Sequence, residues 1–272
     1  MKKTLPKVLI YGFLLAGVFI SIFPFYYAFV GATNDSGTLF RFPDALIPGK
    51  LLQNIRNLSE YMPIANNLFN SIFVSVVGTT FCVLISTMAA YAFSKLRFKG
   101  SNTIFTIMLL SMMLPMNVTL IPSFKIIVAL GWLNTYKALI IPNLISVYAI
   151  YLMKQNFKAF PDALIEAARI DGASEFRIFF SIVIPSMRSS LSATCILTFM
   201  TYWNSFMWPK IVTNASEMYT MPVALSSLIN PSGGSYYAEL MAGVSLAIIP
   251  ILVVFLLLQK QFISGMLGSA VK

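Results

Sequence analysis

The sequence predicts an all-α fold: a polytopic membrane protein with six transmembrane helices, one of whose cytoplasmic connections folds as a helix–turn–helix. Three observations predict it. Hydrophobic residues make up 58% of the chain and charged residues 10%, whereas soluble domains carry about 25% charged residues, so there is too little polar surface to cover a water-exposed globule. The charges are separated by long apolar intervals able to hold the roughly 20 residues that cross a bilayer as a helix. Lys and Arg gather in alternate gaps between those intervals, which is how positive charge is retained on the cytoplasmic side.

The first interval, residues 8–33, lies between Lys7 and Asp35. Its apolar core outruns the h-region of a secretory leader, so it reads as an uncleaved signal-anchor helix. Residues 35–60 form an external segment with Pro43, Pro48 and a short amphipathic stretch at Leu51, Leu52, Ile55 and Leu58, suited to lie along the membrane surface. The second interval, residues 61–94, runs from Glu60 to Lys95, and the third, residues 100–124, from Lys99 to Lys125. The third contains Pro115 and Pro122, each of which removes a helix hydrogen bond and clashes with the preceding turn. The freed carbonyls need protein or water partners. With Asn117, Thr119 and Ser123 nearby, the stretch either faces a polar path or is merely kinked. Lys125 reads as a cation snorkelling to the outer interface, the alternative being a functional charge.

The fourth interval, residues 138–153, is the shortest and can be extended by residues 130–136. The fifth spans residues 189–209, and the sixth residues 240–259. Between them, residues 211–239 carry Pro222, Pro231, Gly233 and Gly234 and read as a semi-structured external segment. Both external segments are candidates either for docking a partner or for plain connection.

The cytoplasmic gaps hold Lys2, Lys3, Lys7, Lys95, Arg97, Lys99, Lys154, Lys158, Arg169, Arg177, Arg188, Lys260 and Lys272, against Arg41, Lys50, Arg56, Lys137 and Lys210 outside. Both termini are therefore expected in the cytoplasm, and the net charge of +10 is a topology signal. No basic cluster with interleaved aromatics stands on a polar face, so nucleic acid is not an expected partner. The chain has no histidine, which removes the usual general base and the commonest zinc ligand. Cys82 and Cys195 sit far apart inside apolar runs and read as inert thiols. No metal site, cofactor site or catalytic residue is expected.

Residues 154–188 form the longest cytoplasmic connection, and Asp162, Glu166, Asp171 and Glu175 all fall within it. Pro161 and Asp162 suit a helix start, residues 163–170 its body, and Asp171-Gly172 a left-handed terminal turn. Ser174 suits the N-cap of a second helix continuing to Pro185. Small side chains at Ala167 and Ala168 would let another protein approach closely, and Glu166 offers a charged anchor. A solvated amphipathic connector is the alternative from the loop alone.

These residues resemble the signature of the transmembrane subunits of binding-protein-dependent ABC importers: E-A-A, three residues, G, nine residues, then I-x-L-P. Here it reads Glu166-Ala167-Ala168, Gly172, then Ile182-Val183-Ile184-Pro185, with isoleucine where leucine is usual. Ile170-Asp171-Gly172-Ala173-Ser174 is similar to the carbohydrate branch, in particular to the six-span second permease of the maltose type. Asn70-Ser71, Ala89-Ala90-Tyr91-Ala92-Phe93, Phe98-Lys99-Gly100, Trp203-Asn204, Met221-Pro222-Val223 and Gly268 to Lys272 extend the likeness.

The resemblance implies a permease subunit in a bacterial or archaeal inner membrane, importing a sugar or oligosaccharide delivered by an external solute-binding protein. It implies a second permease as heterodimer partner and two ATPase subunits that bind ATP and Mg. This chain has no G-x-x-x-x-G-K-[ST] loop of its own. The ATPase-coupling residues are then Glu166, Ala167, Ala168, Asp171 and Gly172. Asn117, Tyr202, Trp203 and Asn204 are candidates for the substrate path, although the aromatic pair equally suits packing, and the resembled companion permease makes most sugar contacts. The chain divides into the first helix with its external segment (1–65), a transmembrane core (66–262) and a cytoplasmic tail (263–272). A permease for polyamines, phosphate or peptides is the alternative. A proton-coupled carrier is disfavoured because no acid lies inside the six intervals.

Overall fold

The computed structural model describes residues 4–37, 49–229 and 236–270, and among these there is no strand. Lys2, Lys3, Arg41, Pro43, Asp44, Pro48, Pro231, Gly233, Gly234, Val271 and Lys272 lie outside the described residues. The helices are α1 (Thr4–Gly31), α2 (Leu51–Tyr61), α3 (Ile64–Lys95), α4 (Ser101–Ser111), α5 (Met116–Ala129), α6 (Tyr136–Ile140) and α7 (Val147–Phe157), followed by α8 (Asp162–Ile170) and α9 (Glu175–Ile178). After a π-helical turn (Phe179–Val183) come α10 (Ile184–Ser186), α11 (Arg188–Trp203), α12 (Met207–Val212), α13 (Met221–Ser226) and α14 (Tyr237–Ala270).

Among the described residues, α1, α3 and α14 are long and apolar enough to cross a bilayer unaided, and the number of spans rises to 5 if each of two bent pairs is one crossing. The third predicted interval is the exception, being split between α4 and α5. The residue before a proline is pushed out of the helical region, so α4 ends ahead of Pro115. That proline then stands at the N-cap of α5, where a missing N–H removes no helix bond. Pro122 lies inside α5 without ending it. The fourth interval bends by 43° between the α6 segment and α7, with Pro142 in the intervening 3-10 turn and the Ser146 hydroxyl capping Ala149 N–H.

Helix α3 is the centre of the bundle, packing against α7 and α11; α11 packs against α14, and α14 against α1 and α2. Helices α3 and α11 approach closely at Gly78, where an added Cβ would lie 2.5 Å from the ring of Tyr202 on α11. Helix α1 keeps an apolar outer surface, with Phe13, Leu15 and Phe19 exposed, as a lipid-facing helix requires.

The segment of residues 216–221 is fastened to α3 by side chains. Asn67 Nδ2 donates to the carbonyls of Ser216 and Tyr219, and Asn70 Nδ2 to those of Glu217 and Tyr219. Ser71 Oγ accepts from Met221 N–H at 2.7 Å. The Asn70-Ser71 pair thus seats the segment leading into Met221-Pro222-Val223. Helix α2 presents Leu58 and Asn54 inward and Leu52 outward, and Asn54 Nδ2 donates to Ala32 O and Asn34 O, closing the end of α1.

Candidate functional site

The helix–turn–helix forms where it was expected. Helix α8 starts at Asp162 and ends in a pair of bonds, Ala173 N–H to Ala168 O and Gly172 N–H to Arg169 O, that satisfy its last carbonyls as a Schellman turn. That turn requires a left-handed residue, and Gly172 supplies it at φ 78°. Ser174 Oγ accepts from Arg177 N–H and caps α9. Beyond the π-helical turn, the chain bends by 83° into α11.

Helix α8 has two faces. Ile165 and Ala168 are buried against Ile178, Phe157 and neighbouring core residues, so Ala168 serves close packing within the chain. Glu166, Ala167, Asp171 and Gly172 are exposed, and Ile170 is 86% exposed. Two of the four acids are engaged: Asp162 accepts from Lys95 Nζ at 2.5 Å, and Glu175 accepts from Arg169 Nε at 2.6 Å. The hydrogen bond from Lys95 holds the Asp162 carboxyl below its usual range. The side-chain carboxylates of Glu166 and Asp171 make no hydrogen bond or ion pair among the described residues. A polar cleft of about 580 Å³ opens beside Glu166, lined also by Ser94, Arg97 and Arg169.

A second cavity, of about 450 Å³, lies between α7 and α11 and is bordered by Ser146, Tyr148, Thr198, Tyr202 and Phe206. Of the four path candidates, Tyr202 alone borders it. The Tyr202 hydroxyl is buried without a partner among the described residues. Trp203 stacks on Phe199 at 5.7 Å, Asn204 is the exposed C-cap of α11, and Asn117 lies exposed in the first turn of α5. Sequence reasoning missed Ser146, Tyr148 and Thr198. The Pro142 break within the fourth apolar interval was the available signal, because a broken helix exposes polar groups that a continuous one hides.

Residues 54–267 match the family described as binding-protein-dependent transport system inner membrane component. The chain is similar to the lactose transport system permease protein LacG of Rhizobium radiobacter, 35% identical over 269 residues, covering 99% of this chain and 98% of that protein. It is 36% identical over 264 residues to the sn-glycerol-3-phosphate transport system permease protein UgpE of Yersinia enterocolitica, with 94% of each covered. It is 39% identical over 204 residues to the arabinooligosaccharides transport system permease protein AraQ of Bacillus subtilis, covering 75% of this chain and 72% of that protein. The crystal structure of a bacterial ABC transporter involved in the import of the acidic polysaccharide alginate contains a chain of like fold, with TM-score 0.81, 23% identity and coverage of 96% and 98%. With most of its length matched to the family and the LacG and UgpE relatives aligned nearly end to end, this chain belongs to the family of binding-protein-dependent transport system inner membrane components.

Proposed function

We propose that this chain is the permease subunit of an ABC importer and carries a sugar or oligosaccharide handed over by an external binding protein. In this reading α4 and α5 together make the third of six crossings, both termini are cytoplasmic, and residues 66–262 are the transporting core. Helices α8 and α9 are the coupling element. They dock into a groove on an ATPase subunit, with Glu166 as the charged anchor, Ala167 and Gly172 allowing close approach, and Asp171 helping to fix the turn.

One observation carries the reading: α8 uses its Asp162 and Arg169 on its own chain and leaves Glu166 and Asp171 unpaired on an exposed face beside the exposed Ile170. Charged and apolar groups left open together fit a protein partner better than a solvated connector. The relatives named for lactose and arabinooligosaccharides support a polyhydroxylated cargo, and the hydroxyl-bearing cavity at Tyr202 is the candidate path for it. ATP and Mg belong to the ATPase subunits, of which two are expected, together with a second permease as heterodimer partner.

Purification of the tagged chain from its native membrane tests this. Two ATPase chains and a second permease are expected to copurify, and deletion of the gene is expected to abolish binding-protein-dependent uptake of a labelled oligosaccharide. Transport by the isolated chain in liposomes, without nucleotide, would sink the reading.

A further inference from the structure

The run Ala89 to Phe93, which carries part of the family likeness, has no role in the docking face. It occupies the last turns of α3, together with Lys95, and the structure ties the coupling element to that helix at two points. Lys95 Nζ donates to Asp162 Oδ1 at 2.5 Å and to Phe160 O at 2.8 Å, gripping the start of α8. Tyr91 OH donates to Glu175 Oε2 at 2.7 Å, and the other oxygen of that carboxylate takes Arg169 Nε at 2.6 Å, gripping the turn at the far end of α8. Residues four apart share one face of a helix, so both ties reach the same side of α3.

The ties bypass the two compliant stretches of backbone that flank the element. Before α8 there is a turn around Ala159 and Phe160, and after α9 come the π-helical turn and the 83° bend. A push on α8 carried by backbone alone would be absorbed at those joints. The side-chain ties are stiff by comparison. Tyr91 is 4% exposed, with its ring against Phe157 and Phe179, and the Lys95 side chain is 7% exposed. The covered stem fixes where the Lys95 ammonium sits, and the Asp162 carboxylate, 72% exposed, and Phe160 O are drawn to it.

We propose that Tyr91 and Lys95 are positioning residues that make α8 and α3 one rigid body, so that displacement of the docked loop is delivered directly into the central helix of the bundle. This inference rests on the reading of α8 as the ATPase-docking element. Tyr91 and Lys95 touch neither solute nor nucleotide in it. They act through Glu175 with Arg169, and through Asp162 with Phe160, and the helix they load is the one against which α7 and α11 pack.

The test uses the assembled transporter in proteoliposomes. Tyr91→Phe removes one hydroxyl and keeps the ring, and Lys95→Met keeps the aliphatic stem, so both spare the packing. Tyr91→Phe loses one charge-assisted hydrogen bond and Lys95→Met two; since losing one shifts a two-state equilibrium about ten-fold, solute moved per ATP hydrolysed is expected to fall about ten-fold or more in each variant. Spin labels at Thr80 on α3 and Ala163 on α8 read the mechanical claim separately. Their distance is expected to stay the same, with a narrow distribution, in the parent transporter with and without a trapped ATP analogue, and to broaden or shift between those states in Tyr91→Phe and Lys95→Met. A parent whose label distance changes between states, or variants that keep the full ratio of solute to ATP, overturn the proposal alone. A parent that copurifies without any ATPase overturns the docking reading first.

Discussion

At the scale of single residues, the coupling turn depends on the backbone at Gly172. An added Cβ there would meet no atom of this chain within 4 Å, so the constraint within the chain is the left-handed φ alone. A β-branched residue in that conformation costs ~1–3 kcal/mol, whereas asparagine enters it readily. Gly172→Val is therefore expected to open the turn and reduce solute transported per ATP, with Gly172→Asn retaining most of it when both are assayed in the assembled transporter. If asparagine fails as badly as valine, the glycine is needed for close contact with the partner. This turn was legible in the sequence because its parts are local: Asp171, Gly172 and the capping Ser174 fall within four residues. The contacts Tyr91–Glu175 and Lys95–Asp162 were not legible, since each joins residues remote in sequence and no local pattern records them.

At the scale of helices, a close constraint is the crossing of α3 and α11, where the Tyr202 ring occupies the space a side chain at Gly78 would need. Overpacking a filled site costs ~1–3 kcal/mol, so Gly78→Ala is expected to lower the thermal midpoint in detergent, and Gly78→Val to lower it further. Tyr202→Leu is expected to restore part of the loss in the Gly78→Ala background, because it removes the ring that the new methyl strikes. The long helices were readable from charge spacing, since α1, α3 and α14 each fill an uncharged interval without interruption. The broken ones were not, because Pro115 and Pro122 are the same residue type in the same apolar interval. What separates them is position: Pro115 stands where a helix starts and Pro122 within one that neighbouring turns sustain.

At the scale of the whole molecule, Glu239 closes the end opposite the coupling element. It is 8% exposed, accepts from Ser36 Oγ at 3.1 Å and Asn57 Nδ2 at 3.3 Å, and so joins the segment after α1, helix α2 and the start of α14. Glu239→Ala would leave those donors without their acceptor, at ~1–3 kcal/mol. The expected outcome is a lower unfolding midpoint and faster proteolysis around α2, whereas unchanged protection of α2 would remove the clamp from the account. The sequence placed Glu239 merely outside the membrane, because burial of an acid beside a helix end depends on chain segments that meet only in three dimensions. The arrangement of neighbours also sets an order of events during synthesis. The main helical neighbour of α1 is α14, so α1 leaves the ribosome long before the helix it packs against and must persist in the bilayer without it. Its long apolar run, exposed to the surroundings among the described residues, suits that wait. Helices α7 and α11 are spared it: α3 is already inserted when they emerge, and each can be shorter and more polar because a protein surface is ready to receive it.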